Sequence, residues 1–283
     1  AHRRLDGGVG GDGTVASCYT SPVPGITATI ITLNESANLA AALESVRWVD
    51  EVIVVDAESS DDTVAVARQY TDRVFVRPWP GYIEQKNFAA SQASHDWIFS
   101  LDADERATPA LAGEIRERLA EGPACAGFRV PRVSRYLGRW FRSTDWYPDF
   151  QLRLYDRRRA KWVGRYVHES VQVEGEVGRL RAEIEHHPYR DVSQNLRTID
   201  RYSSLAARQL FEDGRRTGPT RIVVHAGAAF LRNYVLRGGI RDGAPGLIVS
   251  LLNSYYVAMK FVKLWELTRE SGSPRSRSAA SSQ

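Results

Sequence analysis

Four short apolar runs, each followed by polar residues and a helical stretch, constrain this chain more than any other feature. Residues 26–33 are a β-branched run, and Leu39, Leu43 and Val46 after it fall at i, i+4, i+7, the spacing of one helix face. Glu51–Asp56 (EVIVVD) is a continuous apolar run ending in an acid, the form of a strand covered on both faces. Residues 62–70 read as helix, 73–77 as a third strand, 83–93 as a third helix, and Trp97–Asp102 as a fourth strand that again ends in an acid. Thr108 can cap the next helix, Pro109 suits its first position, and Leu111, Ile115 and Leu119 line one side. Parallel strands need crossover connections, so this alternation predicts an α/β fold with a doubly wound, mostly parallel sheet. Ligands of such sheets bind beyond the carboxyl ends of the strands. The polar clusters lie at those ends: Thr32, Asn34 and Glu35; Asp56 and Glu58 to Asp62; Asp102, Asp104 and Glu105.

After Phe128 the pattern shifts to shorter β-like pieces at 128–133, 150–155 and 167–173. From Val192 it reads as helical: 192–211, a break at 214–219, 221–236, a glycine-rich turn at 238–246, and a last helix at 247–269. The expected organisation is a disordered lead-in at 1–25, a catalytic domain at 26–190, a helical C-terminal subdomain at 191–270 and a Ser-rich disordered tail at 271–283.

Two cysteines, Cys18 and Cys125, exclude a disulfide framework and a cysteine-rich zinc site, and point to a reducing compartment. The +4 charge is unevenly spread: residues 129–165 hold eleven Lys or Arg against three acids. No nucleic-acid motif accompanies them, so no nucleic-acid partner is expected. The first strand-to-helix turn lacks the glycine fingerprint of a dinucleotide site, which disfavours NAD. The six histidines form no metal set by spacing, and the adjacent His186 and His187 read as structural or acceptor-facing.

Asp102 and Asp104 lie two residues apart at a strand end, where two carboxylates can converge on a hard cation that also meets substrate phosphates. In order along the chain, TLNE (32–35), VVDAESSDDT (54–63), Gly81 with QKNFA (85–89), and LDADE (101–105) resemble the motifs of family 2 glycosyltransferases of the GT-A fold. QLRLY (151–155) and VHE (167–169) are similar to the subgroup that includes lipopolysaccharide core β-1,4-glucosyltransferases. The resemblance implies a Rossmann-like nucleotide-diphospho-sugar fold and an inverting hexosyltransferase, with UDP-glucose as the favoured donor and Mg²⁺ or Mn²⁺ as cofactor. It implies that Thr32, Asn34, Glu35, Asp56, Lys86 and Asp102 serve the nucleotide, that Asp104 is the direct metal ligand with Asp102 in support, and that Glu169 is the general base. Asp145 and Asp149, in the aromatic loop 140–150, are rivals for that last role. Trp140, Phe141, Trp146 and Tyr147, interleaved with Arg, suit an acceptor wall or core packing.

Residues 243–259 carry no charge but fall short of the ~20 residues of a spanning helix. Leu247, Leu251, Tyr255, Ala258, Val262 and Trp265, flanked by Lys260, Lys263 and Arg269, form a stripe suited to an anionic membrane surface or to packing on the catalytic domain. The expectation is a cytoplasmic protein, peripheral at the inner face of the cell membrane, acting on a glycan or lipid-linked acceptor. The alternative is a noncatalytic glycan- or membrane-binding module that retains the fold.

Overall fold

The computed structural model describes residues 23–164 and 169–272. The expected lead-in up to residue 22, the expected tail from 273, and His168 with its neighbours 165–167 lie outside the described residues. The first half alternates as β1 (Ile26–Thr32), α1 (Ser36–Ser45), β2 (Glu51–Asp56), α2 (Thr63–Ala67), β3 (Val74–Val76), α3 (Tyr82–Ser91) and β4 (Trp97–Asp102). β2 and β4 both flank β1 in parallel register, and β3 extends the sheet beyond β2.

Successive strand side chains point to opposite faces, and both faces are covered here. Val54 joins Ile30, Leu39, Leu43, Leu111 and Ile115 in one core, while its neighbours Ile53 and Val55 join Ala89, Ile98 and Tyr155 in the other. That is why β2 reads as an unbroken apolar run. β5 (Glu105–Ala107) precedes α4 (Pro109–Ala120), whose first turn is capped as expected: the Thr108 hydroxyl accepts from the Leu111 amide at 3.2 Å.

The second half departs from simple alternation. β6 (Gly127–Tyr136), β7 (Arg139–Phe141), β8 (Asp149–Asp156), β9 (Ala160–Val163), β10 (Ser170–Val173), β11 (Val177–Arg179) and β12 (Ile184–His186) follow in turn. β8 runs antiparallel to both β4 and β6, and β12 lies between β6 and β5, giving the order β3-β2-β1-β4-β8-β6-β12-β5. The sheet is therefore parallel on one side of β4 and mixed on the other. β9 and β10 pair apart from it as an antiparallel ribbon.

The helical part comprises α5 (Val192–Glu212), α6 (Pro219–Leu231), a π-helical turn Arg232–Leu236, a 3-10 turn Gly239–Asp242, and α7 (Gly243–Gly272). The segment expected to be a glycine-rich turn thus supplies the first turn of α7, where a proline is tolerated. Gly246 is required there: a Cβ would lie 1.9 Å from the Gly239 carbonyl oxygen. Counting charge-free residues underestimates this helix, because Gly239–Glu270 is long and apolar enough to cross a membrane by length and composition. Its contacts tie it to the body. Val249 packs with Tyr136 and Phe141, and Lys263 Nζ donates to the Asp200 carboxylate at 2.6 Å.

Candidate active site

The ends of the parallel strands are in register, with Thr32 opposite Asp56 and Ile31 opposite Asp102. They open on a cleft of about 870 Å³ lined by Thr32, Glu35, Lys86, Asp102, Asp104, Glu169 and His186, and on the helical side by Asn195, Tyr202, Asn253 and Tyr256. Among the sequence-predicted residues, Asn34, Asp56, Asp145 and Asp149 are not on its wall.

Asp102 is the centre of a buried charge network. Its Oδ1 faces Lys86 Nζ at 3.0 Å and its Oδ2 accepts from Arg153 Nη2 at 2.5 Å. Arg153 also donates to Glu105, which is fully buried and accepts a second guanidinium, Arg132, at 2.8 Å. Burial alone would raise the Asp102 pKa; Arg153 and Lys86 instead hold it far below the usual carboxylate range. Lys86 is itself 5% exposed and sits 4.3 Å above the Trp162 ring, so it is a fixed charge rather than a solvated one.

Asp104 is differently placed. Its carboxylate lies 3.4 Å from His186 Nε2, and the other ring nitrogen, Nδ1, is 2.9 Å from the Ser134 hydroxyl. β12 is what delivers His186 to this point, pairing with β6 on one side and with Glu105 of β5 on the other. Burial would raise the Asp104 pKa, and the interaction with His186 lowers it overall. Among the described residues no cluster of three His, Cys, Asp or Glu is poised to hold a metal ion. Asp104 and His186 offer two donors on the cleft, a set that needs ligand oxygens to complete it, whereas both oxygens of Asp102 are engaged by cations.

Glu35, on the cleft beside them, is raised above its ordinary pKa chiefly by burial. Thr32 Oγ1 is buried without a hydrogen-bond partner. Asn34 and Asp56 shape the loops behind. The Asp56 carboxylate accepts from the Ser59 amide at 2.8 Å, and Asn34, at φ +56°, accepts from the Ser60 amide at 2.8 Å. Together they clasp the β2 loop to the β1 loop.

The three candidate bases separate by position. Glu169 lines the cleft and, among the described residues, makes no ion pair. Asp149 is held by Arg132 at 2.6 Å and by Gln151 at 2.6 Å. Asp145 is bound to Arg232, to Arg237 at 3.3 Å and to Asn233 at 2.9 Å, which makes it a joint between the aromatic loop and the helices. Of the loop aromatics, Trp146 lines the cleft and donates from Nε1 to Asn253 at 3.1 Å, while Phe141 is fully buried. Tyr189, also on the cleft, has its hydroxyl pKa pushed up to about 12 by burial and then by the Asp104 charge.

Sequence reasoning did not connect His186 with Asp104. The doublet His186-His187 has no ligand spacing, and its partner is reached only through the β5–β12 pairing. His187 is a separate case. Burial, then the Arg106 and Arg135 charges, push it down to about 4, so it is neutral at physiological pH.

The profile described as glycosyl transferase family 2 matches residues 27–173. The chain belongs to this family. The family 2 glycosyltransferase is 32% identical over 248 residues to the lipopolysaccharide core biosynthesis glycosyltransferase LpsC of Rhizobium meliloti (strain 1021), covering 85% of this chain and 92% of that one. It is 32% identical over 267 residues to an uncharacterized glycosyltransferase of Rickettsia felis, covering 90% and 94%. Among solved structures, the mannosyltransferase PcManGT of Pyrobaculum calidifontis, in complex with GDP-Man and Mn²⁺, superposes with a TM-score of 0.51 at 12% identity over 87% of this chain and 89% of that one. This last likeness concerns the fold, which is of the GT-A kind.

Proposed function

We infer that this family 2 glycosyltransferase moves a hexose, with UDP-glucose the favoured donor, onto a hydroxyl of a cell-envelope glycan or lipid-linked acceptor, inverting the anomeric carbon. The observation that carries the reading is the meeting of Asp104 and His186 on the cleft that also holds Glu169. The likeness to LpsC supports an acceptor of the lipopolysaccharide core type. Residues 26–190 act as the catalytic unit, and 191–270 supply the remaining wall of the cleft from the cytoplasmic face of the membrane.

Asp104 and His186 would hold a divalent cation, and an imidazole nitrogen in the donor set favours Mn²⁺ over Mg²⁺, which takes oxygen ligands. When bound, that cation neutralises charge on the diphosphate leaving group. The chain does the rest. Lys86 and Arg153 keep Asp102 ionised and fixed beside the donor, and Thr32 and Glu35 form the nucleotide wall. The Asn34–Asp56 clasp holds the loops that frame the nucleotide. Glu169 takes the proton from the acceptor hydroxyl as it attacks, and Trp146 and Tyr189 present rings to the acceptor sugar.

Thermal shift with a panel of nucleotide sugars, with and without Mn²⁺ or Mg²⁺, tests this, because a ligand bound only by the folded state stabilises it by about 2.7 kcal/mol at a hundred times its Kd. One UDP-sugar is expected to stabilise the protein in a metal-dependent way, and Asp104→Ala and His186→Ala to lose that dependence. Glu169→Gln should keep the shift and lose turnover by about a hundredfold or more. No shift with any nucleotide sugar in a folded sample would favour a noncatalytic module instead.

A further inference from the structure

The α6–α7 elbow exposes more apolar surface than a water-facing connection needs. Leu231, Val235, Leu236, Ile240 and Leu251 are each more than half exposed, and Leu236 reaches 80%. The π-helical turn Arg232–Leu236 keeps Asn233 fully buried while Val235 and Leu236 face outward. Large contiguous exposed apolar surface marks an interaction site.

The charges around the elbow indicate what covers it. From Gly214 to Trp265 the sequence has one acid, Asp242, and that residue is buried against Arg139 at 2.9 Å and Ser143. Arg232, Arg237 and Arg241 all stand exposed on the elbow. Arg232 and Arg237 share one partly exposed acid, Asp145, so the three guanidiniums still outnumber the carboxylates of the elbow. An apolar tip of net positive charge is complementary to an anionic lipid surface: acyl chains take the leucines, and phosphates take Arg241 and the charge that Asp145 leaves uncompensated.

The elbow is also wired to the cleft. Asn233 accepts from the Asp145 amide at 2.7 Å and from Asn253 Nδ2 at 2.8 Å, and Asn253 in turn accepts from Trp146 Nε1. Trp146 and Asn253 both line the cleft. We propose that the elbow, residues 231–251, inserts into an anionic bilayer, and that the Asp145–Asn233–Asn253–Trp146 bridge makes the inserted element and the acceptor wall one rigid piece. The membrane then lies beside the acceptor side of the cleft, and a lipid-linked acceptor reaches Trp146 without leaving it. The membrane contact narrows from the Lys260, Lys263 and Arg269 stripe to the opposite end of α7. This proposal rests on the glycosyltransferase reading for the acceptor's identity but not for the membrane contact itself.

Co-sedimentation of the full chain with phosphatidylcholine vesicles, with and without phosphatidylglycerol, tests it. The protein is expected to pellet with the anionic vesicles and to be released by salt. Leu236→Glu combined with Ile240→Glu should lower vesicle binding by about tenfold or more, while Val177→Glu, on the distant strand β11, should not. The elbow variant's melting temperature and its UDP-sugar shift should match wild type, so loss of vesicle binding is readable apart from loss of fold or donor site. Binding that persists in the double variant overturns the proposal. So does a wild-type chain that ignores both vesicles, or one that sediments as a dimer which the double variant dissociates. A vesicle result as expected with no donor shift would leave the elbow assignment standing and remove the glycosyltransferase reading.

Discussion

Arg153 shows how much of the site depends on one side chain. It is 3% exposed, bridges Asp102 and Glu105, and cannot give up its proton in a protein, so with Lys86 it holds Asp102 ionised in a place where burial alone would raise its pKa. Removing one partner of a buried pair is costly because the other charge remains. Arg153→Met should therefore destabilise the fold by about 3 kcal/mol, read as a lower midpoint in denaturant unfolding. Arg132 still reaches Glu105 in that variant, so a loss well under 1 kcal/mol would mean that the two arginines are interchangeable. None of this was visible in the sequence. There Arg153 is one cation in a basic stretch, and only the β8–β4 pairing carries it to the end of β4. Asp102 and Asp104 look alike in the sequence, yet the first is locked between cations and the second faces an imidazole.

At the scale of elements, legibility followed how local the cause of each element is. β1, β2 and β4 were readable because both faces are buried and the runs are dominated by β-branched and apolar residues. α4 was readable because its cap, its proline and its apolar spacing lie within a dozen residues. β12 was not, since three residues ending in His186 have no period, and they become a strand only between β6 and β5. α7 was read too short because its start is fixed by Gly246 against the 3-10 turn, a contact the sequence does not display. Glu51, at the start of β2, ties neighbouring elements together. It accepts from Thr27 at 2.7 Å and from the Ser94 amide at 2.7 Å, with Arg73 at 3.3 Å. Desolvation would raise its pKa, but those hydrogen bonds and Arg73 lower it overall. A carboxylate depressed in the folded state adds stability that is complete above its unfolded value, about 4.3, and is lost as pH falls through the lower folded value. Melting temperature should therefore drop below about pH 4, and Glu51→Gln should flatten that part of the acid limb while costing stability at pH 7. A variant with the wild-type slope would show that other carboxylates govern acid unfolding.

For the molecule as a whole, the uneven charge of the sequence becomes internal structure. Six of the eleven cations of the basic segment 129–165 find counter-charges elsewhere among the described residues: Arg132 and Arg153 at Glu105 and Asp102, Arg139 at Asp242, Arg142 at Glu183, and Arg157 and Arg158 at Asp96. The segment is the second half of the sheet, and its cations join that half to the parallel half and to the helices. Composition revealed the excess and could not reveal where it went, because these six partnerships are distant in sequence, unlike the local pair of Arg158 with Asp156 at 2.6 Å. Exposed pairs add little stability individually, but each one removes a cation from the set available to a polyanion. Affinity for nucleic acid scales with the number of phosphates neutralised by free Lys and Arg. Titration of labelled duplex DNA by fluorescence anisotropy at physiological salt should therefore show binding no tighter than the ~10⁻⁴ to 10⁻⁶ M of non-specific contacts. A nanomolar isotherm that weakens steeply with salt would mean that these arginines are free in solution. The sheet would then have to hold its two halves together without them.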